Sequence, residues 1–292
     1  MTRLALLVAL SIAPALGACS DDASDPITKI TAPRVLAVIS EPTVLAVDGD
    51  VRLDAFAVDP GGPLGPRSGL PDARSVQAIR MRACTPWKLL ADPARDCAGA
   101  DALALSPDET GRFALITEQL IEAFPPPMSN GAAVETLRAA LAAGLELSVP
   151  VIAEVDIDGE TLVARRDIEV AEAVGELKNP RFAELRFDGV ATQTLRAGQR
   201  YRLTAAFDRP SLDPSRDDDD EPSALEQLDC NFYSPSGVLA EREVDVEELE
   251  VDVPETEPNA YTPDVSGLTW IYVVAADETG GMTIGAFPLT IE

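Results

Sequence analysis

"VRLDAFAVDP" at residues 51–60 and "YRLTAAFDRP" at 201–210 are two versions of one segment, and their repetition decides the architecture. Each is preceded by a related opening, "PRVLAVIS" from Pro33 and "PRFAELRFDG" from Pro180, and by a glycine turn at Gly49 or Gly198. Each is followed by a cysteine-bearing segment, "IRMRACTPW" at 79–87 and "LDCNFYSP" at 228–235. The spacing from Leu53 to Cys84 is 31 positions and that from Leu203 to Cys230 is 27, which suggests that the two cysteines correspond. Both halves close with a hairpin pattern, "LELSVPVIAEVDIDGETLVARRDIEV" and "LTWIYVVAADETGGMTIGAFPLTIE".

These segments alternate as half-buried strands do. Val51, Leu53, Ala55 and Ala57 share a face, as do Tyr201, Leu203, Ala205 and Phe207, with Arg202, Thr204 and Asp208 opposite. Leu145, Leu147, Val149, Val151, Ala153 and Val155 form the longest such ladder. Asp158-Gly159 predicts a two-residue type I′ turn, whose central positions both need positive φ. Short strands separated by Pro, Gly and Asp predict an all-β chain of two tandem immunoglobulin-like antiparallel β-sandwiches. The exception is a helical insertion at about 115–144, with Val134, Leu137 and Leu141 on one side, Asn130 as a cap and Gly144 as the stop. It is expected to cover an end or edge of the first sandwich.

The predicted boundaries are a signal segment at 1–18, a tether at 19–32 and a first sandwich at 33–173. A linker at 174–179 then leads to a second sandwich at 180–292, which carries an acidic loop at 211–222. Met1 to Arg3 are a short cationic start, and Leu4 to Leu16 an apolar run too short for a bilayer span. Leu16 spoils the ordinary small-residue cleavage site before Cys19. Leu16-Gly17-Ala18-Cys19 instead resembles the lipobox of bacterial lipoproteins, which implies acylation of Cys19 and a lipid anchor. By the same resemblance Ser20 fits delivery to the outer membrane, with the membrane face left open.

The chain has 23 basic and 50 acidic residues, a net charge of −27 that argues against direct binding to nucleic acid. It has no histidine, which removes Ser-His-Asp and Cys-His hydrolases and His-ligated zinc. Cys84 and Cys97 are spaced to close a disulfide loop worth about 3 kcal/mol. Cys230 is expected to be a buried free thiol, with pairing to Cys84 or Cys97, or a reactive thiol, as the alternatives. The acidic run Asp217, Asp218, Asp219, Asp220 and Glu221 is the calcium candidate, but it lacks the ligand register of an EF-hand and is expected to be a solvated loop. The acidic segment 244–259, threaded by Val244, Val246, Leu249, Val251 and Val253, reads as a charged edge strand. Asp156 and Asp158 read as hairpin residues, and Trp87 and Trp270 as core filling rather than sugar-stacking platforms.

The lipobox, "PRVLAVISEPTVLAVDGDVRLDAFAVDP", "CTPW" with a second cysteine downstream, "NPRFAELRFDG" and "WIYVVAADETGG" together resemble a group of cell-surface lipoproteins best represented in myxobacteria. The resemblance spans most of the mature chain and implies tandem immunoglobulin-like modules on a lipid anchor, with no catalytic residues to carry over. The insert "DPSRDDDDEP" departs from that pattern. The expectation is therefore a non-enzymatic, lipid-anchored envelope protein without a cofactor, presenting its sandwiches to an envelope protein or a glycan for adhesion, scaffolding or ligand capture. The alternative is a glycan- or calcium-binding accessory module of a surface enzyme system.

Overall fold

A computed structural model of the chain describes residues 28–64, 78–87, 97–126, 133–173, 177–212, 227–247, 253–277 and 279–292. Cys19, Asn130 and the run Asp217 to Glu221 lie outside the described residues.

In the first half, β1 (Arg34–Glu41), β2 (Leu45–Ala46), β3 (Asp50–Asp59), β4 (Gly62–Leu64), β5 (Ala78–Cys84), β6 (Ala102–Leu105) and β7 (Phe113–Ile116) precede two helices. These are α1 (Thr117–Ala123) and α2 (Ala133–Ala142), followed by β8 (Ser148–Ile157) and β9 (Glu160–Ala171). One sheet sets β1 on one side of β3 and both β4 and β7 on the other. The facing sheet runs β2-β9-β8-β5-β6, with β2 parallel to β9 and the rest antiparallel. Val51 and Leu53 from the first sheet meet Val149, Val151, Ala153 and Ile168 from the second in one buried core.

The second half repeats this wiring. Its strands are β10 (Phe182–Phe187), β11 (Thr194–Leu195), β12 (Tyr201–Phe207), β13 (Leu228–Tyr233), β14 (Val238–Leu239), β15 (Glu243–Glu247), β16 (Glu255–Thr256), β17 (Asn259–Thr262), β18 (Gly267–Asp277) and β19 (Met282–Ile291). β10 flanks β12, which pairs on its other side with β16 and β17. The facing sheet runs β11-β19-β18-β13-β15, again with its first pair parallel. Both halves are immunoglobulin-like β-sandwiches.

The duplication extends to single residues. β1 bulges against β3 between Val35 and Ala37, and β10 bulges against β12 between Phe182 and Glu184, so the extra residue stands three places after the opening proline in both. The two-residue turn forms as predicted, with φ of 52° at Asp158 and 86° at Gly159. α2 packs Leu137, Val134 and Leu141 onto the first core, and α1 adds Leu120 and Ile121. Gly144, at φ 83°, ends α2: its N–H donates to Leu141 and that of Leu145 to Ala140, satisfying carbonyls the helix leaves open.

Register corrects several expectations. Ile79 pairs with Val155, while Cys230 pairs with Ala275, and both pairs stand at the same step along their sheets. The counterpart of Cys230 is therefore Ile79, not Cys84. Cys84 is one residue beyond core-facing Ala83, so it turns to the outer face with Ile152, where a disulfide joins it to Cys97. Cys230 faces the second core as a free thiol, fully buried, and burial pushes its pKa well above the usual thiol value. Leu145 belongs to the helix cap and is exposed, so the β8 ladder starts later. Thr204 is buried and donates to Glu255 at 3.0 Å. β15 is no free edge: it bonds β13 on one side and β16 on the other, joining the two sheets. The tether reading of 19–32 fails from Thr28 onward, because Ile30 is fully buried and Lys29 bridges to Ser234.

The two sandwiches lie side by side. Leu36 and Phe56 with Val58, on the outer face of the β1-β3 sheet, pack on Trp270, Tyr272, Tyr233 and Ala286, on the outer face of the β13-β18-β19 sheet. β18 is thereby covered on both sides and is buried without interruption from Thr269 to Ala275.

Candidate functional site

The junction of the sandwiches builds the one feature with a ligand-binding character that the described residues combine from both halves. Its floor is apolar: Trp270 stacks on Tyr272 at 6.1 Å, and Phe56 meets Tyr272 edge-on at 6.4 Å. Gly62, at φ 143°, makes room for the indole, since a Cβ there would lie 3.1 Å from Trp270 Nε1. Burial, and secondarily the charge of Asp59, pushes the Tyr272 phenol up.

A polar seam closes the other end. The Arg166 guanidinium, reached from β9, donates to the Gly280 carbonyl, to Met282 Sδ at 3.2 Å and to Ser40 Oγ at 3.4 Å. Burial lowers its pKa, and the nearby charges of Asp277 and Asp167 act the opposite way. Asp277 accepts from the Thr279 hydroxyl and the Gly281 N–H, yet burial outweighs these and raises its pKa. Asn179 ties both halves, donating to Ser40 O at 2.8 Å and accepting from Met282 N–H at 2.7 Å. The residues expected to form the end of a linker are thus fastened to the junction; positions 174–176 are outside the described set.

Beside this seam lies a groove of about 460 Å³. Arg52 and Arg112 from the first half and Lys178 and Arg181 before β10 line it, with Glu41 and Asp54 as the only acids among its described lining residues. Arg112 is paired with Glu41 at 2.9 Å, whereas the exposed Arg181 guanidinium makes no ion pair among the described residues. Thr43 Oγ1, also on the lining residues, is buried without a hydrogen-bond partner. In a chain of net charge −27, four cations against two acids among the described lining residues invert the sign of that lining. Guanidinium forks on a concave surface can hold a carboxylate, sulfate or phosphate group.

The residues singled out from sequence fall elsewhere. Asp156 is a half-buried hairpin flank held by Arg80 at 2.6 Å, which with Thr161 keeps its carboxyl below the usual range. Trp87 covers the first core and donates to Phe124 O at 2.7 Å. Trp270 is buried, but in the junction rather than in its own sandwich. No group of metal-ligating side chains occurs among the described residues. No local pattern announces the groove, because its cations come from three separate segments and only the docking of the sandwiches gathers them.

No family model matches the chain, and no curated protein matches it. Similar solved structures include red sea bream transglutaminase (9% identity, TM-score 0.29, 90% of this chain and 32% of that one). Others are the bacterial integrin-binding protein invasin (11%, 0.22, 89% and 39%) and a chimeric titin Z1Z2 (14%, 0.21, 90% and 98%). The chain spans about a third of the transglutaminase's length. These likenesses, at TM-scores of 0.29 or less, say nothing of function, and the sheet topology itself defines the fold.

Proposed function

We propose that the chain is a lipid-anchored, non-catalytic protein of a bacterial cell envelope, whose docked sandwiches act as one rigid body that captures an anionic partner. The observation that carries the reading is the cationic groove at the junction, set in an otherwise acidic molecule. Anchoring is supported by the lipobox at Leu16 to Cys19, and a capture role rather than catalysis by the absence of histidine from the chain. An acidic envelope glycan or an acidic face of an envelope protein has the charge to fit.

The test is recovery of partners from intact cells, comparing the native chain with Cys19→Ala and with Arg52→Glu/Arg181→Glu. The reading expects loss of membrane association in the first variant and loss of the partner in the second, with folding retained. Unchanged recovery by the charge-reversed variant overturns the groove as the binding site. An unmodified Cys19 in material from the native host overturns the anchor.

A further inference from the structure

Thr28 to Ile30 precede the first sandwich in sequence but are attached to the second. The Ile30 N–H donates to Ser234 O at 2.9 Å, the Ser234 N–H donates to Thr28 O at 2.9 Å, and Ile30 is sealed in the junction core. Lys29 Nζ also lies 3.8 Å from Asp264, in the turn before β18. The chain therefore leaves the molecule beside Ser234, just past the end of β13 and next to Trp270 of β18, with Lys29 reaching toward the turn before β18.

That end is well defined. The Gly198 N–H donates to Pro263 O and the Ala197 N–H to Glu292 O, which brings the turn before β12, the turn before β18 and the last residue together. The exposed aliphatic side chains Val238, Val265 and Leu268 are located there, at 59, 56 and 71% exposure, in or beside those turns. The opposite end of the same sandwich carries the β18–β19 turn, the junction groove and the short turn Arg209–Ser211. β18 alone, with 11 residues, separates the two ends by roughly 35 Å.

We infer that the second sandwich, not the first, is the one next to the bilayer, with its Val238, Val265 and Leu268 end against the lipid surface and the groove directed away. The inference rests on the anchor proposed above. Nine peptide units separate Cys19 from Thr28, a reach of at most about 32 Å even when fully extended. Acyl chains on Cys19 would thus hold the molecule close to the membrane, and the contacts of Thr28 with Ser234 and of Lys29 with Asp264 put the attachment on the side of this end. Aliphatic side chains suit the boundary between headgroups and acyl chains.

The test uses a chain in which residues 1–19 are replaced by a hexahistidine tag. The protein has no histidine of its own, so the tag alone holds it on phosphatidylcholine vesicles containing a nickel-chelating lipid. A fluorophore is placed on Val265→Cys or on Glu109→Cys, beside the groove. Cys84 and Cys97 are disulfide-bonded and Cys230 is buried, so only the introduced thiol reacts. Nitroxide-bearing lipids are expected to quench the label at 265 several-fold more than the label at 109. Equal quenching, or stronger quenching at 109, overturns the orientation. Because this tether does not use Cys19 acylation, the outcome is separate from that of the anchor, which the mass of the native N-terminal peptide decides.

Discussion

The same sheet, built twice, has opposite outer surfaces in the two sandwiches. In the first, β5, β8 and β9 present Arg80, Arg82, Glu154, Asp156, Arg165 and Asp167, joined into ion pairs such as Arg80–Asp156 and Arg165–Asp167. In the second, the matching strands present Tyr233, Trp270, Tyr272, Val274 and Ala286, and most of these are covered by the first sandwich. By register Ile152 corresponds to Tyr272, and Glu154 to Val274. The core-facing positions remain small and aliphatic in both copies, Val151, Ala153 and Val155 against Ile271, Val273 and Ala275. Duplication thus kept the faces that make a sandwich and changed the face that decides whether it stands alone or docks. An exposed salt-bridge ladder contributes little stability but discourages association, whereas an aromatic face in water would be an adhesive patch.

The difference predicts a gradient of mutational effects. Trp270→Ala should cost about 3–5 kcal/mol in chemical denaturation, because it empties the centre of the junction. It should also separate a single unfolding transition into two. Cys84→Ser with Cys97→Ser should lower stability by about 3 kcal/mol while leaving the junction intact, since the bridge is on the outer face of the other sheet. Gly62→Ala should cost about 1–3 kcal/mol through its positive φ and the contact with the indole.

Asp277 supplies a pH test. Its folded-state pKa is raised, so the folded form binds a proton more readily than the unfolded form, and its contribution to stability grows as pH falls toward the ordinary carboxylate range. Melting temperatures between pH 7 and pH 4.5 should show the native chain gaining relative to Asp277→Asn as pH falls; parallel curves would remove Asp277 from the junction's energetics. The smallest effect belongs to the solvated face, where Arg80→Ser should leave the melting temperature essentially unchanged.

Much of this was legible from the residues. Alternation at Val51–Ala57 and Tyr201–Phe207, the Asp158-Gly159 turn and the helical spacing of Val134, Leu137 and Leu141 define the sandwiches and their insertion. The matched spacing of Cys84 and Cys230 does not make them counterparts, because one step along a strand exchanges the inner face for the outer. The docking left a trace that alternation alone does not interpret, the unbroken apolar run "TWIYVVAA" at 269–276, in which neither face is reserved for water. What it docks against, and the groove that results, depend on Leu36, Phe56, Arg52 and Arg181, which no local pattern connects to β18.

Small-angle X-ray scattering of the mature chain distinguishes two sandwiches packed side by side as a single body from two modules on a free linker. A compact arrangement predicts one maximum in the pair-distance distribution and a radius of gyration near the value for a globular chain of this length, about 19 Å. A distinctly larger radius with a second maximum, as two modules on a free linker would give, would contradict it.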